Sequence, residues 1–217
     1  MFALPGETLE EVAREVETAV ATGATHLSFY QLTIEPGTAF AKRLPEGLPD
    51  EDLCADMSDL VIGALLKAGF EHYEVSGYAR PGRCCRHNLN YWTFGDYVAA
   101  GGGAHGKVTT NEGVVREVRH MSPRKYMASV LEKGSGIAER RLVEAEDLPF
   151  EFMLNALRLT EGVPAALFEA RTGLPLEVVA PALGTLRAQG LLEEDEALIR
   201  PTARGRAFLS DLQEAFL

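Results

Sequence analysis

The chain has 217 residues, 46% of them apolar, enough to build one large domain or two small ones and too apolar for wholesale disorder. Its 32 acidic residues against 21 Lys and Arg give a formal charge of -11, which argues against a nucleic-acid-binding surface, because phosphate contacts need clustered cations. Three cysteines, Cys54, Cys84 and Cys85, make a poor disulfide framework and point to a reducing, cytoplasmic setting; Met1-Phe2-Ala3-Leu4-Pro5 lacks the basic and apolar regions of a signal peptide, and no apolar stretch is long enough to span a bilayer.

Taken in chain order, Thr8 followed by Glu11 spells a capping box, and Leu9, Val12, Val16 and Val20 recur at helical spacing, so a helix is expected over 8–22 with Gly23 ending it. Residues 26–34 are rich in β-branched and aromatic side chains and read as a buried strand, followed by the turn Glu35-Pro36-Gly37-Thr38. A second helix is expected after Asp50, with Leu53, Met57, Leu60, Val61, Ala64 and Leu65 on its apolar face and Gly69 closing it; residues 72–76 follow as a strand. With residues 1–4 as a leading strand, this alternation predicts βαβ units and a parallel sheet. Residues 80–96 read as irregular, 97–106 as strand-like with a glycine-rich end, 114–120 as a short strand and 123–133 as a helix.

From Glu139 the pattern changes. Helices are expected over 144–159, 164–172 and 176–190, then a ribbon over 191–200 and a last helix over 202–216, an order that resembles a winged-helix module. Glu193, Glu194, Asp195 and Glu196 load the would-be wing with acid, and the would-be recognition helix offers only Arg187, which speaks against DNA. The expected organisation is therefore α/β: a partial (β/α) barrel over 1–138 and a winged-helix-like domain over 139–217. Two and a half βα units cannot close a barrel, so further N-terminal chain, or a partner supplying that barrel half, is expected to complete it.

The densest chemical constellation is Cys84-Cys85-Arg86-His87-Asn88-Leu89-Asn90-Tyr91-Trp92, which contains the only Trp. A neutral His87 ring can ligate iron, Tyr91 can ligate or hydrogen-bond, Trp92 can stack on a flat macrocycle, and Asn88 can fix the imidazole tautomer. Cys85 can act as an axial thiolate, and Arg80, Arg83 and Arg86 can lower its pKa or meet carboxylates. The competing reading is a loop whose aromatics only pack.

The string His87-Asn88-Leu89-Asn90-Tyr91-Trp92 resembles the His-Asn-x-x-Tyr-Trp signature of the HemW-type heme chaperones, relatives of oxygen-independent coproporphyrinogen III oxidase within the radical S-adenosylmethionine (SAM) proteins. Leu4-Pro5-Gly6-Glu7-Thr8, Leu27-Ser28-Phe29-Tyr30-Gln31-Leu32, Tyr73-Glu74-Val75-Ser76, Gly101-Gly102-Gly103-Ala104-His105 and Leu159-Thr160-Glu161-Gly162 resemble further family segments in order. The resemblance implies heme binding at His87, Asn88, Tyr91, Trp92 and Cys85, SAM contacts at Gly101, Gly102, Gly103, Ala104 and His105, and delivery of heme to apo-hemoproteins. It implies a [4Fe–4S] cluster and SAM in the full-length protein, but the Cys-x3-Cys-x2-Cys spacing is absent, so the cluster segment is expected before Met1 and radical SAM activity is not expected of this stretch. Coproporphyrinogen III oxidation is the alternative activity, and a non-catalytic interaction module the third.

Overall fold

The computed structural model describes residues 1–217, and the chain divides between Cys85 and Arg86 into two units, Met1–Cys85 and Arg86–Leu217. The expected boundary at 138/139 falls inside a strand of the second unit, Ile137–Leu142.

In the first unit, α1 (Leu9–Ala21) begins at the expected capping box: Thr8 accepts from Glu11 N–H, and the Glu11 carboxylate accepts from Thr8 N–H at 3.0 Å. Three elements follow: β1 (His26–Ser28), a short α2 (Ala39–Lys42) capped by Thr38, and α3 (Glu51–Lys67) capped by Asp50. The unit closes with β2 (Glu71–Glu74) and β3 (Gly77–Ala79). Val12 and Val16 of α1 meet Met57, Val61 and Leu65 of α3 over Phe2, Phe29, Phe70 and Tyr78, and each such side chain stabilises by about 1.5–3 kcal/mol on burial.

Two expectations are corrected here. The strand expected over 26–34 is regular only as far as Ser28. Beyond it, residue 2 forms a single parallel bridge to Gln31 and no ladder, because Ala3 sits at φ 61 and turns the backbone away. The expected parallel sheet is a three-stranded sheet of order β1-β3-β2 with both pairings antiparallel. The two expected strands do run in the same direction, but β3, which follows β2 through a tight bulged turn, lies between them.

The second unit opens with α4 (Arg86–Trp92), a helix where an irregular loop was expected. Seven residues are too few for periodicity to register, yet the run has no Gly, Pro or β-branched residue to oppose helix. Next come β4 (His105–Thr110), β5 (Gly113–Arg119), α5 (Pro123–Lys133) and β6 (Ile137–Leu142), whose strands form an antiparallel meander β4-β5-β6. The strand expected over 97–106 is interrupted by a turn: Gly101 at φ 92 and Gly103 at φ 76 leave extended space, so Tyr97 keeps only one bridge, to Lys107, and regular strand resumes only at His105, the first residue of β4.

The remainder comprises α6 (Leu148–Ala156), β7 (Val163–Pro164), α7 (Ala166–Thr172), α8 (Ala180–Ala188), β8 (Leu198–Ile199), α9 (Ala203–Ala207) and α10 (Leu209–Glu214). Phe208, at φ -113 and ψ 43, breaks the expected last helix into α9 and α10. The expected ribbon keeps β8 and a Leu192–Pro201 bridge, but β8 pairs with β7 rather than with a strand of its own loop. Phe94, Phe152 and Phe168 stack edge to face through the core at centroid distances of 5.7 and 5.3 Å. No helix is long and apolar enough to cross a membrane.

Candidate functional site

Helix α4 presents His87 and Tyr91 on one face, because residues four apart lie one turn above each other. Their rings meet edge to face at 4.7 Å, and His87 is exposed, with no protein group hydrogen-bonding its ring nitrogens. Tyr91 is backed by Tyr97 at 4.2 Å and neighbours Trp92 at 6.4 Å. The Arg158 guanidinium lies over the Trp92 ring at 4.3 Å, a cation–π contact, while the Trp92 indole N–H is buried and finds no acceptor. An exposed imidazole beside an aromatic step can take a metal through a ring nitrogen and pack a flat ligand against the step.

The helix exit is tightly fixed. Asn90 donates to Asp96 O at 2.9 Å and accepts from Gly95 N–H at its own carbonyl at 2.7 Å. A Cβ at Gly95 would lie 2.1 Å from the Asn90 amide oxygen, so only glycine fits there. Lys107, buried under the turn, donates to Phe94 O at 3.0 Å and to the Asp96 carboxylate at 2.9 Å, and its ammonium also rests over the Phe94 ring at 4.1 Å. Burial pulls the Lys107 pKa below its ordinary value, with Asp96 opposing. Burial alone would raise Asp96, but bonds from Thr109 N–H, Lys107 and the Thr109 hydroxyl outweigh it and hold the carboxyl below its ordinary value.

The structure thus brings His87, Tyr91 and Trp92 together on one short helix, with half-buried Asn88 between them in sequence. Cys85 is the last residue of the first unit and is half-buried. Gly101 to Ala104 form a separate turn that leads into β4: Gly101 N–H donates to the Tyr126 hydroxyl at 3.3 Å, Gly103 N–H donates to His120 O at 3.0 Å, and His105, the first residue of β4, is exposed. A Cβ at Gly101 would meet nothing, so its positive φ, not crowding, calls for glycine. A cavity of about 730 Å³ lies in the first unit, lined by Leu4, Pro5, Glu7, Arg14 and Phe29 among others; it draws on two of the family-like segments but holds none of the residues expected to touch heme or SAM.

The cysteines do not fit an iron–sulfur cluster, which needs three converging thiolates. Cys54 sits in the first turn of α3 near Pro49 O, and Cys84 and Cys85 are adjacent. The Cys54 thiol is pushed up by burial, with Asp50 and Glu51 adding to the shift, and Cys84 by burial with Glu71, so both disfavour the thiolate. No three His, Cys, Asp or Glu side chains lie close enough to hold a metal ion together.

Sequence reading missed the residues that buttress this face. The Tyr97 hydroxyl accepts from Arg116 at 2.6 Å, and Arg116 is in turn gripped by Glu151, with Nε at 2.9 Å. Arg141 donates to the other Glu151 oxygen at 3.3 Å. Nothing local marks Arg116, Glu151 or Arg141, which are charged residues of the kind that ordinarily face solvent.

Residues 143–208 match the family model described as the HemN C-terminal domain. The chain is 44% identical over 218 residues to heme chaperone HemW of Escherichia coli (strain K12), the alignment covering 100% of this chain and 56% of that protein. It is 42% identical to heme chaperone HemW of Haemophilus influenzae, with 100% and 55% covered, and 32% identical to that of Bacillus subtilis (strain 168), with 100% and 57% covered. The chain therefore spans little more than half the length of these curated relatives. Among solved structures, coproporphyrinogen III oxidase (HemN) from Escherichia coli, described as a radical SAM enzyme, superposes with a TM-score of 0.74 over 99% of this chain and 53% of that one, at 18% identity, which shows a shared fold.

Proposed function

We propose that this HemW-like chain, which carries a HemN C-terminal domain at residues 143–208, is the heme-holding portion of a protein that passes heme to apo-hemoproteins. The observation that carries the reading is 44% identity to a heme chaperone along the entire chain, against 18% to the oxidase whose fold it shares. Heme is cargo here. His87 offers the iron a ring nitrogen, Tyr91 and Trp92 supply an aromatic step for the macrocycle, Asn88 orients the imidazole, and Cys85 is the alternative, thiolate ligand. The exposure of His87 suits a site that must release what it binds.

The finer architecture belongs to the same proposal. Residues 1–138 are read as part of a (β/α) barrel and 139–217 as a winged-helix-like domain, working in a reducing cytoplasm. The [4Fe–4S] cluster and SAM are read as cofactors of full-length relatives, supplied by residues other than these cysteines, with Gly101, Gly102, Gly103, Ala104 and His105 on the SAM side; the open space at Gly101 supports backbone contact there. Oxidation of coproporphyrinogen III is the second reading, supported by the shared fold.

Hemin-loaded chain, desalted and mixed with apomyoglobin as a probe acceptor, should raise the Soret band of holomyoglobin and should yield no protoporphyrinogen from coproporphyrinogen III. Hemin that stays on the chain, or a chain that takes up no hemin, would contradict the delivery reading.

A further inference from the structure

We infer that Arg116 and Glu151 are positioning residues for His87, so that the HemN C-terminal domain sets the geometry of the heme site rather than merely covering a neighbouring surface. The inference rests on the reading of His87 as the heme contact.

The connection runs through side chains. His87 rests its ring on Tyr91 at 4.7 Å, and Tyr91 rests on Tyr97 at 4.2 Å. The backbone of Tyr97 is pinned to Lys107 by reciprocal bonds of 2.8 and 3.0 Å, and its hydroxyl accepts from Arg116 Nη1 at 2.6 Å. The other edge of the same guanidinium, Nε and Nη2, closes on Glu151 Oε2. Glu151 stands on α6, within residues 143–208, so this chain of contacts begins in the C-terminal domain and ends at the imidazole.

Two features make this more than a surface ion pair. The Arg116 and Glu151 side chains are 22% and 15% exposed, so solvent screens them little, and the contact is a planar fork that a lysine cannot reproduce. The domain also reaches the motif through Arg158 over Trp92, and the turn just beyond it through Phe152 against Phe94. With α4 only two turns long, tertiary contacts must hold its orientation.

The test is a hemin titration of the full 217-residue chain, reading affinity and Soret position, in Arg116→Lys, Glu151→Gln and Tyr97→Phe. His87→Ala is the site control, and Arg187→Lys the control for a forked arginine of the same domain that bonds only Glu193 O and Leu198 O. Arg116→Lys and Glu151→Gln should weaken hemin binding by about three- to tenfold and move or broaden the Soret band. Tyr97→Phe, which keeps the ring and so the fold, should move the band in the same direction by less, and Arg187→Lys should change neither readout. Wild-type affinity and band position in both Arg116→Lys and Tyr97→Phe, with His87→Ala impaired, would overturn the positioning role while leaving the heme site standing. A His87→Ala titration identical to wild type would overturn the heme reading, and the inference with it.

Discussion

Lys107 shows how a charged residue can serve as a core residue. Its side chain is 1% exposed, and its ammonium meets a carbonyl, a carboxylate and an aromatic face. Lys107→Met would take the Lys107 donor from Phe94 O and leave Asp96 with only its Thr109 donors and no counter-charge, and urea unfolding should report a loss of about 1–3 kcal/mol. The pH dependence has two limbs. The Asp96 carboxyl is held below 3.8, so its contribution is complete above that value and fades as pH falls through the lowered folded value. The Lys107 pKa is held below 10.5, so between the folded value and 10.5 the unfolded chain binds more protons and stability rises with pH. The Met variant should lack that alkaline rise. In the sequence, Lys107 reads as an ordinary surface residue, because its partners Phe94 and Asp96 reach it only once the turn has folded. His87, Tyr91 and Trp92 stand out as residue types rich in chemistry within a short span, whereas Arg116, Glu151 and Arg158 are commonplace residues whose importance lies wholly in distant contacts.

The long helices α1 and α3 were legible because capping side chains and apolar spacing agree over thirteen and seventeen residues. Three-residue β3 carries no period, and it changes the sheet from parallel neighbours to an antiparallel ladder. Short β7 shows how much such an element can depend on one position. Gly162 precedes it at φ 64, and a Cβ there would lie 2.3 Å from Ile199 O and 2.6 Å from the Arg200 backbone. Gly162→Ala therefore combines backbone strain with a backbone clash that no side-chain rotation relieves, and should cost roughly 2–4 kcal/mol. Thermal unfolding should show a lower melting temperature for it than for Gly184→Ala, where a Cβ meets nothing within 4 Å.

At the scale of the whole molecule, composition excluded more than it assigned. A charge of -11 argues against a nucleic-acid surface, and 46% apolar residues supply cores for two units. Mixed α/β character was legible from alternating patterns, and the shared fold with HemN agrees with it. The division after Cys85 is marked in the sequence only by the Pro81-Gly82 turn just before it, which reads as the start of an irregular stretch rather than as a boundary, because α4 begins at once. The proposal that α4 offers the exposed His87 imidazole to heme is tested most directly by a hemin titration followed at the Soret band, with His87→Ala and Cys85→Ala run beside the wild type. A saturable band in the wild type that Cys85→Ala keeps, and that His87→Ala weakens by about tenfold or more, is the predicted result. The same band and the same affinity in His87→Ala would contradict it.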